Sequence, residues 1–245
     1  MTARSRRTVL RACASALLAS GLLGAGRRQR MLTVFTFGDS VLDCGHYNRY
    51  GVSPGELLVR NRDDLFPEFR GQDLSAFGGG RLEQLAQDGG TVNSLPRQLR
   101  GVKRHGPSVA LVSVGGNDLL QGLLVDTGPR FEEFRRKLSD FLTALPIRPV
   151  LIANVYDPTM GNDRDNFTGV PVERARANHR RLNDLIAGLA AEHGTLIDLH
   201  SHFLGGEASW FTSTIEPSLR GASEVRRCYW RELVKLLPAG AEAAP

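Results

Sequence analysis

The sequence predicts an α/β fold with a mostly parallel sheet, and two observations carry this prediction. Three short segments, 32–37, 109–114 and 150–155, are almost continuously apolar, as strands are when both faces of a sheet are covered. Longer segments between and after them repeat apolar residues every three or four positions, which is typical of amphipathic helices. Strands that alternate with helices form βαβ units, and such units build parallel sheets.

Each predicted strand ends at a turn signal. The first, 32–37, is rich in β-branched and aromatic residues and stops at Gly38. The second stops at a pair of glycines, and the third stops near Asp157. A short fourth strand is predicted at 196–199. Ligands bind beyond the carboxyl ends of the strands in such a sheet, so these stops mark the region where a site is expected.

Three helices are predicted, over 131–145, 172–193 and 221–237. Proline follows the first and the third and ends each of them. The polar face of the second helix carries three arginines that are predicted to face solvent: Arg176, Arg180 and Arg181.

The segment 41–80 is rich in Gly, Arg, Asp and Pro and shows little periodicity, so it is predicted to be a long ordered loop around the site. Its aromatic residues are predicted to form an apolar wall of the substrate pocket. They are Tyr47, Tyr50, Phe66, Phe69 and Phe77.

Composition excludes several classes of protein. Of 245 residues, 41% are hydrophobic and 23% are charged, values that rule out a disordered chain, a collagen-like fibre and a multi-span membrane protein. The formal net charge is +5, but residues 1–30 contain seven arginines and no acidic residue. Removing those seven charges leaves −2, so the domain itself is not a nucleic-acid binder.

The first 30 residues are predicted to be an export signal. Arg6 and Arg7 precede about 15 small and apolar residues, too few to span a bilayer as a helix. The pair resembles the twin-arginine motif, which implies a bacterial protein exported to the periplasm or beyond. An ordinary secretory signal and a retained anchor stay open. Membrane contact is expected only through this segment, the domain occupies 31–238, and 239–245 is a frayed tail.

The cysteines point to neither a metal site nor a cofactor. Cys13 lies in the predicted signal, and Cys44 and Cys228 have no metal-ligand spacing. They form either a disulfide or two buried thiols. No phosphate-binding loop or dinucleotide fingerprint is present, so we expect no metal and no cofactor.

Residues with the chemistry of acyl transfer follow the predicted strands. Ser40 comes directly after the first, in a tight Gly-Asp-Ser turn, and Asn117 follows the glycine pair after the second. Between them, Gly89 lies in an Asp-Gly-Gly-Thr turn. In acyl transfer, a serine hydroxyl can act as the nucleophile, and nearby backbone and amide N–H groups can form the oxyanion hole.

In combination these segments resemble the SGNH (GDSL) hydrolase family. The strings FTFGDSVLD, DGGT and SVGGNDLL occur in the family's order, and the resemblance covers nearly all of 32–237. It implies a flavodoxin-like, three-layer α/β/α fold and a serine hydrolase of carboxylic esters. By position, it implies that Ser40 is the nucleophile and that Gly89 and Asn117 are oxyanion donors beside the Ser40 N–H.

The chain departs from the family at its final block. Where the family has Asp-x-x-His, this sequence has Ser213 and Glu216. The general base is therefore left open between Glu216, whose position matches, and His202 or His200, which lie in a loop predicted to follow the fourth strand. The remaining histidines are interpreted as surface residues: His46, His105, His179 and His193.

Three functions fit these residues. The first is an exported esterase or lipase-like hydrolase, and the second is a glycan O-deacetylase built from the same parts. The third is a non-catalytic binding module that retains the pocket. The substrate is expected to be a small-molecule, lipid or glycan ester, and the sequence fixes neither the acyl length nor the oligomeric state.

Overall fold

The computed structural model describes residues 31–103 and 106–237. The predicted export signal, the tail at 239–245 and His105 lie outside the described residues. Within the described part of the chain, no helix is long and apolar enough to cross a membrane.

The core of the protein is a five-stranded parallel sheet, as the sequence predicts. The strand order is β2-β1-β3-β4-β5, which is the flavodoxin-like arrangement. The strands are β1 (Leu32–Gly38), β2 (Gly80–Gln84), β3 (Ser108–Ser113), β4 (Val150–Ala153) and β5 (Thr195–Ile197). The chain crosses to the other side of β1 when it enters β3, so the crevice beyond β1 and β3 is the place where a ligand is expected.

Helices cover both faces of the sheet because strand side chains alternate between them. Phe35 and Phe37 pack toward one layer and Val34 toward the other. The first layer contains α2 (Leu95–Leu99), α4 (Pro129–Ala144) and α5 (Val172–His193). The second contains α1 (Pro54–Val59), α6 (Leu199–Leu204) and α7 (Leu219–Leu233). A further short helix, α3 (Gly116–Leu120), begins beyond β3.

Two local expectations are wrong. The sequence Gly80–Gln84 is polar and lies in or beside the predicted loop, but it forms edge strand β2, which is only half covered. The segment after β5, predicted as a loop, is helix α6, which Asp198 caps by accepting a hydrogen bond from the Ser201 N–H. By contrast, the predicted loop at 41–80 is confirmed as a largely irregular segment, although it contains α1.

The aromatic residues of that loop do not line the cavity beside Ser40, contrary to the prediction. Phe66 and Phe69 are buried against Arg226, whose guanidinium carbon lies 3.4 Å from the centroid of the Phe69 ring. Arg226 is fully buried, and it donates hydrogen bonds to Asn61 and Ser223. These aromatic rings therefore anchor the loop to α7 through a cation–π contact.

The two cysteines of the domain are free and buried. Burial raises the pKa of the Cys44 thiol above its usual range and that of Cys228 to about 12. Both are therefore neutral, and they behave as small apolar side chains.

A two-stranded hairpin leads into α7 and carries the final sequence block. β6 (Phe211–Thr212) pairs with β7 (Glu216–Pro217), so that Thr212 lies opposite Glu216. The turn between them places Ser213 and Thr214 at φ 46° and 73°, in the left-handed region. The Tyr156 hydroxyl donates to the Ile215 carbonyl at 2.7 Å and fixes the hairpin on the body of the domain.

Candidate active site

Ser40 lies on a tight turn at the carboxyl end of β1. Gly38 has a φ of 118°, and a Cβ added there would lie 1.6 Å from the Ser113 carbonyl oxygen, so only glycine fits. Gln98 donates to the Gly38 carbonyl and accepts from its N–H, both at 2.8 Å. The strand end is therefore held rigidly, and Ser40 is presented at the edge of the sheet with 7% of its surface exposed.

The structure brings Asn117 to the same crevice. Its side-chain amide lies at the start of α3 and donates one hydrogen bond to the Gly90 carbonyl at 3.0 Å. An amide nitrogen carries two hydrogens, so the second remains for a ligand. The contact also ties the DGGT turn to the end of β3.

Gly89 lies in that turn at φ 70° and is exposed. Its N–H and that of Ser40 donate to no partner within the described parts of the chain. Ser40 and Asn117 line one cavity, whereas Gly89 is not among its lining residues. The Ser40 N–H and one Asn117 amide hydrogen are thus available at the cavity, and the Gly89 N–H is available in the turn that Asn117 contacts through Gly90.

Glu216 is the base candidate that the structure brings to Ser40. Its side chain is 8% exposed and lines the same cavity, and its Oε2 is buried without a hydrogen-bond partner in the described chain. Burial raises the pKa of this carboxyl, whereas a hydrogen bond with the Ser40 side chain lowers it. The net shift is upward, which moves a glutamate toward the pKa that suits a general base.

The structure does not bring His202 or His200 to the cavity lining. His202 Nε2 is 2.8 Å from Glu224 Oε2, and its ring stacks on Trp210 with centroids 5.3 Å apart. The His200 ring meets the ring of His179 edge-on at 4.9 Å. Both residues lie on α6, and their positions do not support either as the base.

Asp39 is a second carboxyl in the cavity. It is 2% exposed, and burial raises its pKa to about 8, against a hydrogen bond from the Val41 N–H that lowers it. Asp39 is therefore mostly protonated at neutral pH. Glu216 is the other carboxyl group that lines the cavity with Ser40.

The cavity has a volume of about 140 Å³, and one of its sides is formed by apolar side chains. They come from α3, the segment after it, the segment after β4, and α5. They include Leu119, Leu120, Leu124, Val155, Phe167, Val172 and Ala175. The pocket wall is thus made mainly by 116–124 and 154–179, and the 41–80 loop contributes Val41 but none of its aromatic residues.

Two residues of α5 were assigned wrongly from the sequence. Arg176 is not simply solvent-facing: it lines the cavity and forms ion pairs with Asp157 and Asp163. His179 is buried in the cavity lining, and its ring nitrogen contacts the Val155 carbonyl at 2.8 Å. The sequence did contain a signal for this side of the pocket. Asp157 follows β4, and ligands bind beyond the carboxyl ends of parallel strands.

Comparison with known proteins agrees with this geometry. Residues 36–222 match the family model of the GDSL-like lipase/acylhydrolase family. No functionally curated protein matches the chain at a significant level.

Several solved structures share the fold. An acetylxylan esterase from Geobacillus stearothermophilus is 17% identical, with a TM-score of 0.60 over 84% of this chain and 94% of that one. A member of the lipolytic G-D-S-L family from Veillonella parvula is 18% identical, with a TM-score of 0.58 over 83% and 99%. LAE5, an alpha/beta hydrolase from the metagenome of Lake Arreo in Spain, is 21% identical, with a TM-score of 0.57 over 85% and 97%.

At these sequence identities, the structural matches establish only the fold. The family model covers most of the chain, and its match includes both the serine turn and the final block. The chain belongs to the GDSL-like lipase/acylhydrolase family.

Proposed function

We propose that this serine ester hydrolase forms its acyl-enzyme on Ser40, with Glu216 as the general base. The observation that carries the proposal is the contact between these two side chains. The Ser40 hydroxyl lies close enough to the Glu216 carboxyl group to lower its pKa, which burial raises more strongly, in a cavity that Asn117 also lines. A serine hydroxyl needs such a proton acceptor, because it is a poor nucleophile alone at neutral pH.

The first half of the reaction transfers the acyl group to the enzyme. Glu216 accepts the Ser40 Oγ proton while Oγ attacks the ester carbonyl carbon, and the carbonyl π electrons move to its oxygen. The N–H groups of Ser40 and Gly89 and the amide of Asn117 stabilise that oxyanion. When the intermediate collapses, the bond to the alcohol oxygen breaks and Glu216 returns the proton to the departing alcohol.

The second half uses the same groups with water. Glu216 accepts a proton from a water molecule as its oxygen attacks the acyl carbon. The new oxyanion is held by the same donors, and collapse releases the carboxylic acid. The proton on Glu216 returns to Ser40 Oγ, so the enzyme is restored.

The mechanism is tested with an alkyl phosphonate ester whose phosphorus is attacked by an activated serine. We expect one phosphonyl group per molecule, bound covalently to Ser40 and located by peptide mass spectrometry. A label on another residue, or no label under conditions in which the ester substrate is turned over, would contradict the assignment of Ser40.

The cavity indicates the size of the acyl group. Its volume is about 140 Å³, close to the roughly 150 Å³ apolar cavity that accommodates benzene in an engineered protein. An acetyl group would leave most of this space empty. We therefore propose that the preferred substrates carry an apolar acyl group of about six carbons, larger than the acetyl group removed by the acetylxylan esterase that shares the fold.

Filling the cavity should change the acyl preference. Ala175 lies on α5 and lines the cavity, so Ala175→Phe should lower kcat/KM for the hexanoate ester by about tenfold or more, because a phenyl ring takes the space of the acyl chain. Activity on the acetate ester should change by less than threefold. The measurement is kcat/KM for p-nitrophenyl esters from acetate to octanoate.

Ala177→Phe is the matched control, since Ala177 lies on the same helix but is exposed and outside the cavity lining. Its acyl profile should equal that of the wild type. If Ala175→Phe lowers activity on acetate and hexanoate equally, the acyl group binds elsewhere.

A further inference from the structure

We propose that four residues, Asp43, His46, Tyr47 and Asp88, form a clamp that positions the Gly89 N–H relative to Ser40. This inference rests on the proposed function, because it concerns the oxyanion donors of that reaction. Three of the residues belong to the segment that follows Ser40, and Asp88 directly precedes Gly89. They are referred to below as the Asp88 clamp.

The contacts converge on Asp88. Its Oδ2 accepts a hydrogen bond from the Tyr47 hydroxyl at 2.9 Å and one from His46 Nε2 at 3.2 Å. Its backbone N–H donates to Asp43 Oδ2 at 3.0 Å. Both the side chain and the backbone of the residue before Gly89 are therefore bound to the serine segment.

The other end of the clamp is fixed to the nucleophile turn. The Asp43 N–H donates to the Ser40 carbonyl at 3.1 Å and to that of Asp39 at 3.2 Å. The rings of His46 and Tyr47 lie against each other, with centroids 4.1 Å apart. A continuous set of contacts thus joins Ser40 to the Gly89 turn.

Gly89 needs such a connection because little else holds it. It is exposed, and a Cβ built on it would have no neighbour within 4 Å. Both neighbours of Gly89 are anchored. The Gly90 carbonyl accepts a hydrogen bond from the Asn117 side chain, and Asp88 is held by the clamp. Oxyanion donors lose effect when they are displaced by about 1 Å, so this positioning matters for the reaction rate.

Two residues of the clamp, His46 and Asp88, are exposed and the other two are half-buried, which separates the clamp's effect on catalysis from any effect on folding. The side chains of His46 and Asp88 are 49% and 43% exposed. Exposed ion pairs and hydrogen bonds contribute little to global stability. The clamp also acts electrostatically on Glu216, because Asp88 raises the pKa of that carboxyl and His46 lowers it.

The inference is tested by measuring kcat and KM for the hexanoate ester, the inhibition constant of an alkylboronic acid, and Tm. The boronate adduct with serine places a negatively charged oxygen in the oxyanion hole. Asp88→Ala should lower kcat by about tenfold or more, with KM within twofold, and should weaken the boronate by a similar factor. Tyr47→Phe should lower kcat by about threefold but have no further effect when Asp88 is already alanine.

Asp64→Asn and Tyr50→Phe are matched controls, because the group that each removes or neutralises, the Asp64 carboxylate or the Tyr50 hydroxyl, binds a neighbouring arginine and lies outside the clamp. Both should behave as the wild type. The clamp is overturned if Asp88→Ala leaves kcat within twofold, raises KM alone, or lowers kcat only together with Tm. Loss of the phosphonate label from Ser40 in the wild type would instead overturn the proposed function, so the two failures are distinguishable.

Discussion

Ser40→Ala is expected to lower kcat for ester hydrolysis by a factor on the order of 10⁴ or more, while binding of a non-hydrolysable substrate analogue changes by less than threefold. Removing the nucleophile of a serine hydrolase removes the covalent pathway, whereas the oxyanion donors and the binding surface remain. The Ser40 side chain is small and lies at the cavity edge, so the folded state should be retained. The measurements are turnover of a chromogenic hexanoate ester, calorimetry with the analogue, and Tm.

This substitution also separates an enzyme from a binding module. Ser201→Ala is the matched control, because Ser201 is exposed on α6 and does not line the cavity. If Ser40→Ala and the wild type hydrolyse the ester at the same low rate, the pocket binds a ligand without turning it over. Equal loss in Ser201→Ala would instead indicate a general effect on the protein.

The sheet could be predicted because its strands are strongly patterned. Strands β1, β3 and β4 are buried on both faces and are almost continuously apolar. Such a sequence indicates both that the segment is a strand and that it belongs to a parallel sheet. Strand β2 lies at the edge, where Arg81 and Gln84 meet solvent. Its apolar pattern is weak for that reason, and it was missed.

The serine turn could be found because strand ends and glycines are visible in the sequence. The pocket wall could not be found in the same way, since it depends on which loops the fold brings beside that turn. Arg176 illustrates the problem: its place on the helix fits a polar, solvent-facing surface, but it pairs with Asp157 across a contact that no local pattern encodes. The partners of Asp88 are likewise separated from it by more than 40 residues.

The final block shows a different limit of sequence reasoning. The spacing aligns Glu216 with the family's histidine, and the structure brings its carboxylate to Ser40. Ser213, which aligns with the family's aspartate, is instead exposed in a strained turn. The orienting partner of a histidine is therefore absent from this position within the described hairpin, and a directly acting carboxylate does not need one.

Glu216→Gln is expected to lower kcat by a factor on the order of 10² or more, with KM little changed. Glutamine keeps the shape and can still contact Ser40, but it cannot accept a proton. In the wild type, kcat/KM should fall as the pH is lowered, because protonated Glu216 is inactive. Burial holds the pKa of this group above the ordinary glutamate value of 4.5, so the fall in kcat/KM at acid pH should have its midpoint above 4.5. The residual activity of Glu216→Gln should not show this fall.

The pH profile alone does not identify the base, because a buried glutamate can titrate near pH 6, where a histidine titrates. The decisive comparison is with His202→Asn and His200→Asn, which should retain kcat within a few-fold because neither side chain lines the cavity. Glu207→Gln, an exposed glutamate paired with Arg220, controls for the loss of one negative charge. If His202→Asn produces the large loss and Glu216→Gln does not, α6 must move to bring the ring to Ser40. Glu216 would then be a buried carboxyl without a role in proton transfer.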